Sequence, residues 1–384
     1  MRRWSIIILC NVIDIKVRLE RYRSQFLHRV QKVHDESLIN FTANDYLNLA
    51  RDPRVKASFK EGVDLYGLGS CSSVVVSGYT RAHSVLEEKF AEFLNCDQAI
   101  LFNSGYHANL GVTSVLSNNH THIIADKLCH ASIIDGIKLA RANLHRFRHN
   151  NLEHAKLLLS KIQEKKLVIT ESIFSMEGDI APASELSELS SKYNANFIID
   201  DAHAIGVLGK NGRGISEYYG LTQEEVQCIV VPLGKALASM GAIVAGKMEV
   251  IEALRQFART YIYTTALPPA IPHATIEVLK IVEHENWRRE RLNELITYFL
   301  ESADNLGLSL TSKHITPIKS IVIGSNFRAL KIQNYLLNNG FLISSIRPPT
   351  VPINTTRIRV SINCSHTESQ ILSLLQLIVK SNNE

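Results

Sequence analysis

Short runs rich in Ile, Val and Leu alternate with stretches of helical spacing through the central part of the chain. Each run ends at a turn of small or polar residues, and a stretch with helical spacing follows. This pattern is typical of buried strands that alternate with helices, and it predicts an α/β fold with a largely parallel sheet covered on both faces. The predicted strands are Ala99–Phe102, His122–Ala125, Leu167–Ser172, Phe197–Ile199 and Cys228–Val231.

The segments on either side of this sheet predict an arm and a second domain. Apolar residues spaced among many Arg and Lys predict a helical arm with a basic face over residues 13–33. A long helix over about 270–303 would lead to a smaller unit with strands near Ile318–Ile323 and Arg357–Ser361. Other predicted helices cover 52–65, 81–95, 184–193, 248–260, 327–339 and 367–380. The predicted domains are an N-terminal arm at 1–43, a large domain at 44–270 and a small α+β C-terminal domain at 271–384.

Composition and charge are those of an ordinary globular protein. Of 384 residues, 45% are hydrophobic and 21% are charged, which argues against disorder. The net charge of +5 is spread along the chain, so we predict no nucleic-acid surface. No segment approaches the ~18 uninterrupted apolar residues of a membrane span, so we predict no membrane association.

The cysteines and the first residues bear on the compartment. The cysteines are widely scattered, which predicts reduced thiols in a cytoplasmic protein, with no disulfide framework and no metal site. The start, Met1–Trp4 followed by the apolar Ser5–Cys10, is only weakly similar to a signal peptide, because charged residues follow at once. We predict an N-terminal helix or extension there. The cysteines are Cys10, Cys71, Cys96, Cys129, Cys228 and Cys364.

Side chains with catalytic chemistry collect where the predicted strands end. Asp200 and His203 follow one strand, and Lys235 follows another on a Gly turn. Ligands bind at this edge of a parallel sheet, and an amine placed there with an acid and an imidazole suits pyridoxal phosphate (PLP). The amine would form a Schiff base, and the acid would pair with the pyridinium nitrogen. Three other strands on the same rim end near Ser104, His130 and Ser175.

Each of these features also has a plain structural explanation. An Asp pair after a strand often caps the next helix, and a His beside it is often a core residue, so the prediction rests on the combination. The strand-to-helix turn at Gly105 and Tyr106 offers N–H groups to a phosphate, although many such turns only connect elements. The Gly/Ser segment 66–73 is either a ligand-binding loop or a surface loop. Arg347, in a Pro-rich loop, would bind a carboxylate or pair with a surface acid.

Several runs of residues carry a resemblance to a known family. They are Asn44-Asp45-Tyr46-Leu47, Val76-Ser77-Gly78-Tyr79, Ser104-Gly105-Tyr106, His130-Ala131-Ser132, Phe174-Ser175-Met176-Glu177-Gly178-Asp179, Asp200-Asp201-Ala202-His203, Gly234-Lys235, Gln256-Phe257-Ala258-Arg259 and Ile346-Arg347-Pro348-Pro349-Thr350-Val351-Pro352. These runs resemble the α-oxoamine synthases, which are PLP enzymes of fold type I, and most of all the branch that serves biotin biosynthesis. The similarity extends from about Asn44 to Ile378.

The resemblance implies a role for each matching position around the cofactor ring. Lys235 would be the Schiff-base residue and general base, and Asp200 would pair with the pyridinium nitrogen. His203 would hydrogen-bond the ring oxygen, His130 would stack on the ring face, and Ser175 would contact the cofactor near that oxygen. The other implied contacts are with the phosphate or ring at Gly105 and Tyr106, with the phosphate from a second subunit of a homodimer at Thr264 and Thr265, and with the substrate at Asn44 and Arg347.

The chain departs from the family pattern at two places. The family commonly has a Thr three residues before the Lys, where this chain has Pro232, which supplies neither a hydroxyl nor an N–H to the phosphate. The loop Gly69–Ser73 carries fewer glycines than its counterparts, which affects how closely its backbone approaches an acyl donor. The resemblance does not assign an acyl-binding Arg within the arm, where the candidates are Arg21, Arg23 and Arg29.

The implied activity is a decarboxylative condensation of L-alanine with a pimeloyl thioester, carried by coenzyme A (CoA) or by an acyl carrier protein. Two alternatives stay open at this point. One is a sister reaction of the family, such as glycine with acetyl-CoA or serine with a long acyl-CoA. The other is a partner subunit that keeps the fold and has lost its chemistry. A nucleotide-binding dehydrogenase is disfavoured, because no G-x-G-x-x-G follows the first strand.

Overall fold

The computed structural model describes residues 15–383 and is built around a seven-stranded sheet. The strand order is β2-β8-β7-β6-β5-β3-β4, and only β8 runs antiparallel to its neighbours. The carboxyl ends of the other six strands therefore meet at one edge. The bounds are β2 Gln98–Phe102, β3 His122–Asp126, β4 Asn143–Phe147, β5 Lys166–Glu171, β6 Ala195–Asp200, β7 Cys228–Pro232 and β8 Ala242–Gly246.

Helices cover both faces of this sheet, because successive strand residues point to opposite sides. In β6, Phe197 and Ile199 pack in one apolar cluster, whereas Ile198 packs in a second cluster on the other face. The two clusters confirm the predicted α/β architecture with a doubly covered sheet. Apart from the N-terminal arm, the α-helices up to β8 are α1 Pro53–Tyr66, α2 Arg81–Leu94, α3 Gly105–Leu116, α4 Ala131–Ala140, α5 Leu152–Lys161, α6 Ala183–Lys192 and α7 Ile215–Tyr219.

A second sheet lies in the C-terminal part of the chain. It has the order β11-β12-β9 and is antiparallel throughout. A separate short pair joins β1, from the N-terminal part, to β10 in parallel. The bounds are β1 Ile39–Asn40, β9 Ile318–Gly324, β10 Phe341–Leu342, β11 Ser344–Ile346 and β12 Thr356–Ser361, with helices α8 Met248–Phe257, α9 Arg259–Ile262, α10 Ala270–His284, α11 Trp287–Asn305, α12 Asn326–Asn338 and α13 Glu368–Asn383.

Three predicted helices are wrong in extent. The helix predicted over 248–260 is two helices, α8 and α9, because Ala258 is extended between them (ψ 104°). The arm is helical over residues 15–24 and not to 33, because the chain turns at Phe26 (φ 56°), whose ring packs on Phe327 at 5.4 Å between centroids. The helix predicted over 270–303 is two helices, α10 and α11. Glu285 leaves the helical conformation between them, and its carboxylate pairs with Arg54 and Arg288.

The remaining points concern the N-terminus, two elements that were not predicted, the domain division and membrane-spanning helices. The expected helix or extension at residues 1–10 lies outside the described residues. The sequence pattern missed β4 and α5, because β4 is an edge strand that carries His145 and Arg146 instead of an apolar run. The division into an arm, a large domain and a small domain stays a prediction. Among residues 15–383, no helix combines the length and apolar character that crossing a bilayer requires.

Candidate active site

The candidate active site lies at the edge where the parallel strands end. β5 and β6 place Glu171 and Asp200 side by side in register, and Lys235 follows the end of β7. A tight turn holds Lys235, because its carbonyl accepts the N–H of Ala238. The charges of Asp200, Glu171 and Arg359 all act on its amine. The structure therefore brings an amine, two carboxyl groups and a guanidinium to one edge of the sheet.

Asp200 and His130 are joined by a chain of buried hydrogen bonds. Asn109 donates from Nδ2 to Oδ2 of Asp200 at 2.7 Å and to Oγ of Ser132 at 3.0 Å. The same Ser132 oxygen lies 2.7 Å from Nδ1 of His130. The N–H of Ala202 donates to the other Asp200 oxygen at 3.1 Å. Both oxygens of this carboxylate are therefore held by protein donors.

His203 lies buried next to the same cluster, and Tyr46 holds its ring. The two side chains meet at 2.7 Å between Tyr46 Oη and His203 Nδ1. Burial lowers the pKa of His203 well below its usual value, and the positive charge of Lys235 lowers it further. Burial likewise raises the pKa of Tyr46 to about 12. The pair is therefore neutral at physiological pH, and the imidazole is available as a hydrogen-bond partner.

Glu171 is an acid that the sequence analysis did not single out. It is 3% exposed, and its Oε1 has no hydrogen-bond partner among the described residues. Burial raises its pKa well above the usual value, and the charge of Asp200 adds to this effect. Burial lowers the pKa of Lys235, while Asp200 and Glu171 oppose that change. The site thus favours a neutral carboxyl and a neutral amine more than water does.

Arg359 is the guanidinium that belongs to this cluster. Its Nε donates to the carbonyl of Ser175 at 2.7 Å, and another nitrogen donates to Oδ1 of Asn44 at 3.1 Å. Arg347 lies apart from it, with its guanidinium donating to the carbonyl of Phe26 in the arm. The structure therefore brings Asn44, predicted beside the substrate, to Arg359 and not to Arg347.

The turn between β2 and α3 has the features of a phosphate cradle. Ser104 caps α3 by accepting the N–H of His107 at 3.2 Å, and the N–H groups of Gly105 and Tyr106 come before the first helical hydrogen bond, from Ala108 to the carbonyl of Ser104. A Cβ on Gly105 would lie 2.7 Å from Cγ of Pro232, so only glycine fits this approach. Tyr106 points to the helix surface and donates to Asp135 at 2.6 Å.

Thr264 and Thr265 lie at the same turn within one chain. The side-chain amide of Asn103 donates to Oγ1 of Thr264 at 3.1 Å and to the carbonyl of Thr265 at 2.7 Å. Their predicted contact with a phosphate of a second subunit stays a prediction. The N–H groups of Gly105 and Tyr106, with these hydroxyls nearby, would supply donors for a phosphate. Together with Asp200, the two imidazoles and Lys235, this donor set fits PLP.

The fold and this donor set define a PLP-dependent enzyme of fold type I. The model of the family described as aminotransferase class I and II matches residues 36–378, most of the chain. The fold, the cofactor and the class of enzyme predicted from the sequence are thereby confirmed.

Similar proteins of known function show which family of PLP-dependent enzymes the chain belongs to. The 8-amino-7-oxononanoate synthase of Hahella chejuensis is 44% identical over 349 residues, covering 91% of this chain and 88% of the relative. That of Thioalkalivibrio sulfidiphilus is 41% identical over 381 residues, covering 96% and 97%. The solved 8-amino-7-oxononanoate synthase of Francisella tularensis superposes with a TM-score of 0.80 at 39% identity, covering 90% of this chain and 98% of that one. A serine palmitoyltransferase of Sphingomonas wittichii superposes with a TM-score of 0.87 at 30% identity, covering 90% and 87%. The chain belongs to the α-oxoamine synthase family.

Proposed function

We propose that this protein is an 8-amino-7-oxononanoate synthase, which condenses L-alanine with a pimeloyl thioester and releases CO₂. The observation that carries the proposal is the cluster of Lys235, Asp200, His203 and Arg359, in a chain that is 41% identical to one of these synthases over 381 residues. The amine, the acid and the guanidinium supply what an amino acid needs for chemistry at its α-carbon.

The residues that would hold PLP are those around the cluster. Asp200, fixed by Asn109, would face the ring nitrogen, and His203, fixed by Tyr46, would face the ring oxygen. The start of α3 at Gly105 would receive the phosphate. When bound, PLP supplies an electron sink for the bond that breaks at the substrate α-carbon.

Lys235 would move the proton of the α-carbon. Its lowered pKa favours the neutral amine, which is the form that accepts a proton. The neighbouring Glu171 carboxyl, which lies buried beside Asp200, would hold a proton within the same cluster. Removal of the Lys235 side chain therefore leaves the site without its base, and we expect the condensation to stop.

Arg359 would orient the carboxylate of the amino acid. Three of its contacts are made to Ser175, Asn44 and Ser361, and its remaining N–H groups form a fork that matches a carboxylate. Arg347 was the residue predicted for this role. The variants Arg359→Lys and Arg347→Lys distinguish the two assignments. Only replacement of the arginine that binds the carboxylate should raise the KM for L-alanine, by about tenfold or more.

We also propose a homodimer with a site shared between subunits. Several large apolar side chains stand exposed on the segments that border the site, among them Leu68 (87% exposed), Val76 (78%) and Tyr263 (72%). The segment that carries Val76 pairs with the site through a bridge between Ser73 and Thr265. A partner subunit that covers these side chains would complete the site. Separately, the scattered free thiols suit a cytoplasmic enzyme.

The test is product formation by the purified protein with PLP. L-Alanine, glycine and serine are each offered with pimeloyl-CoA, pimeloyl-acyl carrier protein, acetyl-CoA and palmitoyl-CoA, and the products are identified by mass spectrometry. We expect 8-amino-7-oxononanoate from L-alanine, and none from Lys235→Ala. A preference for glycine or serine, or full activity in Lys235→Ala, contradicts the proposal. The activities with pimeloyl-CoA and with pimeloyl-acyl carrier protein, compared with each other, show which of the two is the acyl donor.

A further inference from the structure

The loop that follows β5 joins the large sheet to the three-stranded sheet. It includes Ser175, whose carbonyl binds Arg359, and it continues to Asp179. Strand β9 and the segment before it bind the loop from one side: Ser320 donates to the carbonyl of Met176 at 2.6 Å, and Thr311 donates to the carbonyl of Glu177 at 2.8 Å. The carbonyls of Ser175, Met176 and Glu177 are thus held by Arg359, Ser320 and Thr311.

Arg357 is the second guanidinium on that side. It precedes Arg359 by two positions in β12, so both side chains project from the same face of the strand. Its NH1 lies 2.8 Å from Oε1 of Glu177 and 3.3 Å from the carbonyl of Met176. The side chain of Arg357 is 6% exposed and that of Glu177 is 18% exposed. This is a largely desolvated ion pair, directly beside the contact between Arg359 and Ser175.

The other end of the loop is held by the large sheet. His149 bridges two carboxylates, with Nδ1 at 3.0 Å from Asp126 and Nε2 at 2.8 Å from Asp179. Its ring packs edge-on against Phe174 at 4.4 Å between centroids. The loop is therefore anchored at both ends, and the ion pair of Arg357 and Glu177 is a further contact at its middle.

We propose that Arg357 is a positioning residue for the amino-acid site, acting through Glu177 on the loop and through the loop on the guanidinium of Arg359. The inference rests on the proposed function, in which Arg359 binds the carboxylate of a small α-amino acid. Without the ion pair, the loop loses the link between the Glu177 side chain and β12, and the Ser175 carbonyl no longer fixes Arg359 in the same position. A displacement of about 1 Å at an orienting group is enough to weaken a substrate interaction many-fold.

Affinity for the amino acid distinguishes a positioning role of this ion pair from a purely stabilising one. A buried ion pair that only stabilises the fold lowers the melting temperature when it is broken, but it leaves ligand affinity unchanged in the protein that remains folded. A positioning pair changes the affinity for the amino acid in that folded fraction. The affinity for the acyl donor should not follow it, because neither Arg357 nor Glu177 is proposed to contact that substrate.

The experiment measures L-alanine binding to the PLP-loaded enzyme by titration calorimetry, without any acyl donor. The variants are Arg357→Lys, Glu177→Gln and the double variant. Arg289→Gln is the matched control, since Arg289 is also buried but binds mainly the carbonyls of Val282 and Lys210, away from the loop. Melting temperatures are measured in parallel, and KM values for both substrates follow on the same preparations.

We expect each single variant to bind L-alanine about tenfold more weakly, the double variant to bind little worse than the singles, and the control to lose stability with its affinity unchanged. Unchanged affinity in folded Arg357→Lys and Glu177→Gln overturns the inference, as does a strictly additive double variant. Failure of the wild-type holoenzyme to bind L-alanine instead overturns the proposed function, so the two failures are distinguishable.

Discussion

The phenol of Tyr46 and the imidazole of His203 meet in the core at 2.7 Å, although 157 positions separate them in the chain. Tyr46 is fully buried, and His203 is 3% exposed. The same phenol lies 3.2 Å from Oδ1 of Asn44, which in turn accepts from Arg359. One hydrogen-bonded chain therefore links the imidazole proposed to face the cofactor with the guanidinium proposed to bind the substrate.

Replacing Tyr46 by Phe should lower activity more than stability. The variant keeps the ring and its packing but leaves His203 without its partner, so we expect kcat to fall by about tenfold and the free energy of unfolding by about 1 kcal/mol. Steady-state kinetics and urea unfolding measure the two effects. Tyr218→Phe, at an exposed tyrosine, is the control. A Tyr46→Phe enzyme with wild-type kcat contradicts this link.

Replacing Gly105 by Ala should weaken cofactor retention. The added Cβ would lie 2.7 Å from the ring of Pro232, so the start of α3 has to move away from β7. We expect PLP to dissociate at least about tenfold more readily, because the phosphate would lose aligned N–H groups. Equilibrium dialysis with absorbance detection measures retention. Gly69→Ala, where a Cβ meets nothing within 4 Å, should retain PLP like the wild type; equal losses in both variants would show that the cradle is not at Gly105.

Replacing His149 by Gln should destabilise the protein in a pH-dependent way. Burial disfavours the charged ring, but the carboxylates of Asp126 and Asp179 outweigh it and raise the pKa of His149 to about 10. A pKa raised above the ordinary 6.5 means that the charged ring stabilises the fold fully below pH 6.5, and that this contribution is lost as the pH rises through 10.

The corresponding measurement is urea unfolding of both proteins across this range. The difference in the free energy of unfolding between wild type and His149→Gln should be largest near pH 6 and should shrink towards pH 10. A difference that is constant with pH would mean that packing on Phe174, and not the charge, accounts for the contribution of His149.

Replacing Lys319 by Met should stabilise the protein. Lys319 is fully buried on β9, its amine donates to the carbonyl of His314, and burial lowers its pKa to about 7. The unfolded chain therefore binds a proton that the folded chain releases between pH 7 and 10.5, and wild-type stability should rise with pH across that window. The gain from Lys319→Met should be greatest below pH 7, on the order of a few kcal/mol, and should vanish above pH 10.5. Thermal unfolding at several pH values measures it, and a loss of stability at pH 6 would contradict it.

The sequence was informative where chemistry follows directly from a strand end. His130, Asp200 and Lys235 each come at or just after a predicted strand, and parallel strands bring such positions together. Arg359 and Asn109 gave no comparable signal. Arg359 lies inside a strand, where its alternation with apolar residues is typical of a solvent-exposed strand face. Its partner Asn44 is 315 positions away in the chain.

Helix limits were predictable only where local signals set them. Asn95, in the left-handed conformation, ends α2 close to the predicted position. At the break between α10 and α11, Glu285 pairs instead with Arg54, which reaches it from α1. A contact between distant parts of the chain leaves no periodicity in the segment that it interrupts.

The pairing of β1 with β10 has a consequence for biosynthesis. Ile39 can pair with Phe341 only after the ribosome has synthesised Phe341. The neighbouring segment with Asn44 and Tyr46 therefore cannot take its final position until almost the entire polypeptide exists. Nascent chains that stop before this point carry Lys235 and Asp200 but cannot yet seat the residues that complete the pocket. Premature release at such a point would therefore give a protein that has Lys235 and Asp200 but lacks Arg359 and the strand that pairs with Ile39.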